Sequence, residues 1–223
     1  MAIINNSKKF IFVHVPKAAG TSITNELSAY TEYCDLEIGG TAFGEQLQPL
    51  YKRRFNLYKH ISADEIKSIV GQHVWNEYFT FSIVRNPYTR LRSIFSFLKE
   101  WEGTPEDFKT SLSGFSGFNE FVESETWKTR LGPDRIFQPQ GTWLQSEGLI
   151  SVDYVGRLES IDEDFNKIIE RIAPNSREGR SPINRLNRSS EASGRTLSAD
   201  AINLINEYYH QDFADFGYEK ISK

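Results

Sequence analysis

Short apolar runs alternate with amphipathic helical patterns along this chain, and this alternation limits the possible folds more than any other feature. Residues 9–15, KFIFVHV, are rich in Phe and Val and too short for a typical helix, so they are predicted as a buried strand. Three further strands are predicted at 55–60 (the weakest), 78–84 and 152–156. Strands that alternate with helices imply a P-loop-like parallel sheet with helices on both faces, an α/β fold.

Capping signals indicate where the intervening helices begin. The predicted starts are Gly20 or Thr21, Ser62, Asn86, Ser160 and Ser198. Ser62 with Glu65, and Ser160 with Glu163, have the spacing of capping boxes. The helix from Ser62 is predicted to end at Gly71, and the last helix near Tyr209. Residues 102–117 and 173–197 are rich in Gly, Ser, Pro, Asn and charge and are predicted as long surface loops.

Composition limits the class of protein and its partners. A chain of 223 residues with 39% hydrophobic residues predicts one globular domain over 1–223. The net charge of −4 provides no global basic field, so no nucleic-acid partner is expected. The N-terminus has no signal-peptide core, no apolar run reaches 18 residues, and Cys34 has no second cysteine to pair with. We therefore predict a soluble, cytoplasmic protein without a membrane span; the sequence carries no signal for its oligomeric state.

The stretch PKAAGTS after the first predicted strand has the features of an anion-binding loop. Gly20 permits a tight strand-to-helix turn, and the N-terminus of the following helix presents N–H groups and partial positive charge. Lys17 adds a full charge, and Thr21 and Ser22 add hydroxyls, a set that suits phosphate or sulfate. The order differs from the nucleotide-hydrolase P-loop, where Lys directly precedes the hydroxyl residue. An ordinary turn with a solvent-facing Lys17 is the alternative.

A second stretch, SIVRNPYTRLRSIFSF, offers a separate anion site. Arg85 follows a predicted strand, and Ser93 lies eight residues on along a helix. An Arg can bind phosphate through two nitrogens, and a helical hydroxyl can add a further bond. A structural salt bridge at Arg85 and a surface position for Ser93 are the alternatives. Arg90 and Arg92 are predicted as solvated charges on the helix surface.

The candidate residues follow different predicted strands. Lys17 follows the first, His60 the second and Arg85 the third. In open α/β sheets, ligands bind beyond the carboxyl ends of the strands. The sequence therefore predicts that these residues line one crevice. It shows no His, Cys and Asp cluster with metal-ligand spacing, so no metal is expected.

The two stretches HVPKAAGTSI and FSIVRNPYTRLRSIF, about 70 residues apart, resemble the nucleotide-binding motifs of PAPS-dependent sulfotransferases, most closely the carbohydrate branch. Similar segments follow in order: KHISADEI, FNEFV, FQPQGTWL, DYVGRLESIDEDF, LNRSS and YYHQDFADFGY. The resemblance implies the sulfotransferase fold, with 3′-phosphoadenosine 5′-phosphosulfate as donor and adenosine 3′,5′-bisphosphate as product. By motif match, the 5′-phosphosulfate would be held by Lys17, Ala19, Gly20, Thr21 and Ser22. Arg85 and Ser93 would hold the 3′-phosphate.

The resemblance also implies which residues carry the reaction. Lys17 would stabilise charge on the leaving phosphate, and His60 matches the position of the family's catalytic base. Glu159 after the strand 152–156 is a competing base, and His14 is predicted as a buried, hydrogen-bonded residue inside the first strand. Arg188 and Ser189, with Asn187, lie where a family loop closes over the nucleotide.

The acceptor is the least constrained partner. Gln138, Gln140 and Trp143 lie in a segment that could bind a sugar, with Trp143 either a stacking face or a core residue. Unlike Golgi members of the family, this chain shows no membrane anchor, so it resembles a compact bacterial form. With a net charge of −4, a small glycan or glycolipid precursor, or another hydroxylated metabolite, is favoured over a highly sulfated polymer. The rival interpretations are a non-catalytic module for adenosine bisphosphate and a small-molecule P-loop kinase.

Overall fold

The computed structural model describes residues 2–129, 135–174 and 197–222. These residues divide into two compact units. The sheet unit comprises residues 2–84 and 140–174, and the helical unit comprises 85–129, 135–139 and 197–222. That residues 1–223 act as a single domain stays a prediction.

The strands all belong to the sheet unit. In chain order they are β1 Ala2–Asn5, β2 Phe10–Val13, β3 Leu36–Ile38, β4 Phe79–Val84, β5 Gln145–Ser146, β6 Leu149–Ile150 and β7 Tyr154–Arg157. Five of them form one sheet in the order β3-β1-β2-β4-β7, and β5 pairs with β6. β2, β4 and β7 are parallel neighbours, with Phe12 beside Phe81 and Phe81 beside Tyr154. The predicted α/β fold class is confirmed, with a central sheet that is mainly parallel and flanked by helices.

One strand runs against the others, which the sequence did not indicate. β1 is antiparallel to both β2 and β3, whereas the first strand was predicted to begin near Lys9. The turn between β1 and β2 is closed by Asn5, whose side-chain oxygen accepts from the Lys8 N–H at 2.6 Å and the Ser7 hydroxyl at 3.1 Å. The four residues AIIN form too short a run to predict a strand from the sequence alone.

The helices of the described residues are divided between the units. They are α1 Gly20–Leu27, α2 Ala42–Phe55, α3 Ala63–Glu77, α4 Pro87–Glu100, α5 Glu106–Ser113, α6 Phe118–Glu123, α7 Thr126–Thr129, α8 Gly141–Leu144, α9 Ile161–Ile172, α10 Ala199–Tyr208 and α11 His210–Asp215. α1, α2, α3, α8 and α9 accompany the sheet, and the others form the helical unit.

Three predicted elements differ from the structure. Residues 55–60 are not a strand, because α2 extends to Phe55 and Asn56 ends it in a left-handed conformation. Residues 102–117 contain α5, whose Phe108 and Leu112 are buried one turn apart. Gly71, with φ of 84° and ψ of 156°, ends the first helical segment of α3 as predicted, and a second segment, which was not predicted, continues to Glu77.

One face of the sheet is covered by α1 and α9. Ile23 and Leu27 of α1 and Ile168 of α9 are fully buried in a cluster with the sheet residues Phe12 and Phe81. Burying an aliphatic or aromatic side chain of this size stabilises a fold by about 1.5–3 kcal/mol. This packing fixes the direction in which α1 leaves the sheet, and with it the position of the loop that precedes α1.

The helical unit has its own core. Leu91, Ile94 and Leu98 of α4 are fully buried in the apolar stripe predicted for that helix, together with Phe121 and Trp127. Pro87 occupies the first turn of α4 and Asn86 caps it, as predicted.

Arg90 is not the solvated charge that was predicted. It is 1% exposed, and its guanidinium donates to the carbonyls of Gln138 at 3.0 Å and Ile136 at 2.9 Å. A buried charge requires such partners, so Arg90 stabilises the segment that carries Gln138.

Candidate active site

The loop between β2 and α1 has the backbone shape of an anion site. Lys17 and Ala19 have φ values of 66° and 61°, in the left-handed region that residues with a Cβ rarely adopt. The Ala18 N–H donates to the Val15 carbonyl at 3.3 Å, which closes a tight turn. Left-handed residues in a turn bring successive N–H groups to one concave side, and strained residues of this kind cluster at ligand sites.

The start of α1 adds to this positive environment. Ala19 is the N-cap residue, no side chain among the described residues caps the helix, and its first turn contains no acidic residue. The helix N-terminus therefore keeps its partial positive charge. Of the two hydroxyl residues in the first turn of α1, Thr21 is half-exposed and Ser22 is buried.

Gly20 is required at the start of α1 because His14 lies against it. A Cβ at position 20 would lie 1.8 Å from Nε2 of His14. No residue other than glycine fits without displacing the imidazole. His14 follows β2 directly, since the strand ends at Val13 and not at Val15 as predicted. The Val13 carbonyl accepts from the Ser82 hydroxyl of β4 at 2.6 Å, which fixes the backbone just before His14.

His14 also contacts the predicted base. The Nδ1 atoms of His14 and His60 are 3.0 Å apart, with ring centroids 4.7 Å apart. Burial lowers the pKa of His14 well below its ordinary value, and the positive charges of His60, Lys59 and Lys17 lower it further. His14 is therefore neutral at pH 7. These contacts place the Lys17 loop and His60 in one cluster.

His60 is half-buried in a turn between two capped helices. On one side, α2 ends at Asn56. On the other, the predicted capping box at the start of α3 is present: Glu65 N–H donates to the Ser62 hydroxyl, and the Ser62 N–H donates to Glu65 at 2.9 Å. Tyr58 also donates to Glu65, at 2.8 Å. The turn that carries His60 is thus held by hydrogen bonds from both flanking segments.

Lys59 is a site residue that the sequence did not indicate. Its N–H donates to the Gln48 side chain at 2.8 Å, and its ammonium is paired with Glu45 of α2 at 2.5 Å. Glu45 also accepts from the Gly40 N–H at 3.0 Å. The sequence could have indicated this residue only through α2, because that helix, capped by Thr41, carries the partner Glu45 in its first turn.

Arg85 and Ser93 are placed within the helical unit. Arg85 directly follows the last residue of β4 and is half-buried, and its Nε donates to the Thr89 hydroxyl at 3.0 Å. That bond uses the inner nitrogen of the guanidinium and fixes the plane of the group. Ser93, on α4, is 6% exposed and so is not the surface residue of the alternative interpretation.

Glu159 lies in a 3₁₀ turn, Leu158–Ser160, between β7 and α9, and it is exposed. Asp164 of α9 holds this turn. Its carboxylate accepts from the Ser160 hydroxyl at 2.7 Å, the Arg157 N–H at 2.8 Å and the Tyr154 hydroxyl at 2.7 Å. The predicted capping box of Ser160 with Glu163 is therefore wrong, because Ser160 bonds to Asp164.

The weaker acceptor candidates differ in burial. Gln140 and Trp143 are 0% and 1% exposed, which favours the core-packing alternative for Trp143. Gln138 is half-buried in the helical unit. Asn187, Arg188 and Ser189 lie outside the described residues.

The described residues contain no group of three or more His, Cys, Asp or Glu side chains arranged to hold a metal ion. Within the same residues, no helix combines the length and apolar character that crossing a membrane requires.

Comparison with known proteins identifies the family. A family model described as "Sulfotransferase family" matches residues 1–219. The chain belongs to the sulfotransferase family. A relative from Archaeoglobus fulgidus, described as an uncharacterized protein, is 28% identical over 107 residues, which is 48% of this chain and 78% of the relative. No solved structure matches the chain. Sulfuryl transfer is thus the general reaction of this sulfotransferase.

Proposed function

We propose that this sulfotransferase moves the sulfuryl group of 3′-phosphoadenosine 5′-phosphosulfate to a hydroxyl of a carbohydrate or another small alcohol. The observation that carries the proposal is the cluster in which His14 contacts both His60 and Gly20. This cluster contains both His60, a base that can take a proton from a hydroxyl, and the start of the loop's helix, which can bind an anion.

The Lys17 loop is suited to the 5′-phosphosulfate. The residues proposed to hold it are Lys17, Ala19, Gly20, Thr21 and Ser22, which supply an ammonium, a helix N-terminus and two hydroxyls. The charges of Lys17 and Lys59, which lower the pKa of His14, also attract an anion. A strongly anionic ligand is thereby favoured locally although the chain carries a net charge of −4.

In the helical unit, we propose Arg85 and Ser93 as the residues that hold the 3′-phosphate. The bond from Arg85 Nε to Thr89 orients the planar guanidinium, and an oriented guanidinium suits a phosphate. Arg188 and Ser189 are proposed as further nucleotide contacts, on the strength of the motif match alone.

The reaction would be an in-line displacement. The acceptor oxygen forms a bond to sulfur as the bond from sulfur to the bridging oxygen of the 5′-phosphate breaks. His60 takes the acceptor proton, and Lys17 stabilises the negative charge that develops on the departing phosphate. The products are a sulfate ester and adenosine 3′,5′-bisphosphate, and the proton on His60 is then released to water.

The acceptor side of the proposal is broader. Glu159 is exposed next to the end of β7, where it could orient an acceptor or serve as the base in place of His60. Gln138 and Gln140 are proposed as acceptor contacts, while the buried Trp143 is assigned to the core of the sheet unit. We expect the enzyme to act in the cytoplasm, where the single Cys34 would stay reduced.

Calorimetric titration with adenosine 3′,5′-bisphosphate tests the donor. We expect wild type to bind with or without Mg²⁺. Arg85→Ala should bind about 10- to 100-fold more weakly, because a hydrogen bond to a charged group contributes about 1.5–3 kcal/mol. The matched control is Arg53→Ala, an exposed arginine of α2, which should bind as wild type does. No binding to wild type, or binding of ATP with Mg²⁺ only, would contradict the proposal and favour a kinase.

Turnover with labelled donor then separates an enzyme from a binding module. His60→Ala should keep its affinity for adenosine 3′,5′-bisphosphate and lose about 10²- to 10⁴-fold in kcat, the usual contribution of a general base. Glu159→Gln should lose far less. A larger loss of kcat in Glu159→Gln than in His60→Ala would make Glu159 the base. A wild type that binds adenosine 3′,5′-bisphosphate but transfers sulfate to no alcohol would be the non-catalytic module.

A further inference from the structure

The contact between His14 and His60 has a property that an ordinary packing contact lacks. The two Nδ1 atoms are 3.0 Å apart, a hydrogen-bond distance, so one hydrogen lies between them and one ring is the donor. Which nitrogen of the donor ring carries its hydrogen then determines which nitrogen is left to act as a base.

The surroundings of His14 favour the neutral ring. It is 4% exposed, and burial is the largest cause that lowers its pKa, with smaller contributions from positive charges that include Lys59 and Lys17. His60 is only half-buried and is the ring that can exchange protons with an acceptor. Of the two rings, His14 is therefore the one suited to remain an uncharged hydrogen-bond acceptor throughout the reaction.

We propose that His14 is a positioning residue that accepts the Nδ1 hydrogen of His60 and so makes Nε2 the basic nitrogen of His60. This inference rests on the proposed function for the role of His60. When Nε2 of His60 takes the proton of the hydroxyl that receives the sulfate, the hydrogen on Nδ1 of His60 stays in place. Its hydrogen bond to His14 then becomes charge-assisted and stronger. Neither ring has to turn between the two protonation states.

Gly20 links this pair to the anion loop. Because the start of α1 lies against the Nε2 edge of His14, the position of that ring depends on the loop that carries Lys17. His14 is thus in contact with the base through one edge and with the anion site through the other. Binding of the sulfate donor to the loop would therefore also order His60.

Nitrogen-15 NMR of histidine-labelled protein tests the tautomers without any need for turnover. The chain has four histidines, so the spectrum is simple, and His60→Gln assigns the signal of His60. We expect His60 to carry its hydrogen on Nδ1, and His14 to carry its own on Nε2 and to remain neutral near pH 7. A hydrogen on Nε2 of neutral His60, or on Nδ1 of His14, would overturn the proposal.

A pair of variants tests the consequence for catalysis. Asn places an acceptor oxygen where His14 has Nδ1, whereas Leu fills a similar volume without an acceptor. We expect His14→Leu to lose about 10- to 100-fold in kcat, the range found when a partner that orients a functional histidine is removed, with the KM for donor unchanged. His14→Asn should recover most of that loss.

Equal losses in the Asn and Leu variants, or a loss confined to the KM for donor, would show that His14 only supports the fold and would overturn the proposal. Adenosine 3′,5′-bisphosphate binding by wild type is measured alongside. If that binding is absent, the proposed function fails, while the tautomer spectrum still decides the hydrogen bond between His14 and His60. The two failures are therefore distinguishable.

Discussion

Gly20 shows how a single hydrogen atom in place of a side chain can shape a site. Its backbone is helical, so the need for glycine comes from the neighbouring imidazole and not from φ. The close approach brings the helix N-terminus, the Lys17 loop and His14 together. Any Cβ at position 20 must displace either the ring or the start of α1.

We therefore predict that Gly20→Ala weakens adenosine 3′,5′-bisphosphate binding by more than about tenfold and lowers the free energy of unfolding by about 1–3 kcal/mol, the usual cost of overpacking. Calorimetry and urea denaturation measure the two effects. The control is Gly114→Ala, where the new Cβ would make an ordinary contact at 3.4 Å with the Ser111 carbonyl. Unchanged binding in Gly20→Ala would show that the loop does not depend on this contact.

At the residue scale, the sequence indicated candidate residues but not their contacts. Lys17, His60 and Arg85 were selected from their positions after predicted strands and from the resemblance to known motifs, and their roles stay predictions. The partnership of His14 with His60 joins residues 46 positions apart and leaves no local pattern. The prediction that Arg90 is a solvated charge was wrong for a related reason. The periodicity of α4 places Arg90 beside the apolar stripe, but the two carbonyls that bind it come from a distant segment.

At the scale of elements, capping chemistry was the most reliable signal. The starts of α3, α4 and α10 were predicted from Ser62, Asn86 and Ser198, each of which accepts a backbone N–H in the structure. Elements without a strong apolar pattern were missed. Gly44 is the one buried residue of α2, so that helix shows almost no apolar face in the sequence.

Asp164 connects two elements, β7 and α9, and its pKa predicts how stability depends on pH. Burial acts to raise that pKa, but hydrogen bonds from Arg157, Tyr154 and Ser160 outweigh it and hold the pKa below the ordinary value. A carboxyl with a lowered pKa in the folded state stabilises the fold fully above its unfolded pKa of about 3.9. That stabilisation is lost as the pH falls through the lower pKa of the folded protein.

We predict that Asp164→Asn lowers the free energy of unfolding at pH 7 by about 1–3 kcal/mol, because three hydrogen bonds to a carboxylate are weakened. The difference from wild type should shrink below about pH 4, because the carboxyl becomes neutral first in the unfolded chain and then, at its lower pKa, in the folded protein. Urea denaturation at several pH values measures this. Asp162→Asn, an exposed position in the first turn of the same helix, should cost less than about 1 kcal/mol. A difference for Asp164→Asn that stays constant down to pH 2 would contradict the assignment.

At the scale of the whole molecule, charge is distributed unevenly. The chain carries 30 acidic and 26 basic residues, yet Lys17 and Lys59, from two different segments, both lie close enough to His14 to lower its pKa. A local cluster of this kind binds a compact anion such as a phosphosulfate. A polyanion needs a long basic surface to gain from its many charges, and a net negative chain repels it at a distance.

The charge distribution therefore predicts the size and charge of the acceptor. We expect transfer of labelled sulfate to a neutral monosaccharide or glycolipid precursor at millimolar concentration to exceed transfer to a highly sulfated polysaccharide at the same concentration of sugar units. The measurement should be made at low ionic strength, because attraction between a polyanion and a basic surface is strongest there, so the condition favours the polymer. Adding the unlabelled polymer to the assay of the small acceptor controls for inhibition, since a polymer that blocks the donor site would lower both rates. A polymer that accepts sulfate faster than every neutral acceptor, with a rate that falls steeply as salt is added, would contradict the prediction. It would mean that an extended basic surface contributes to acceptor binding despite the net charge of −4.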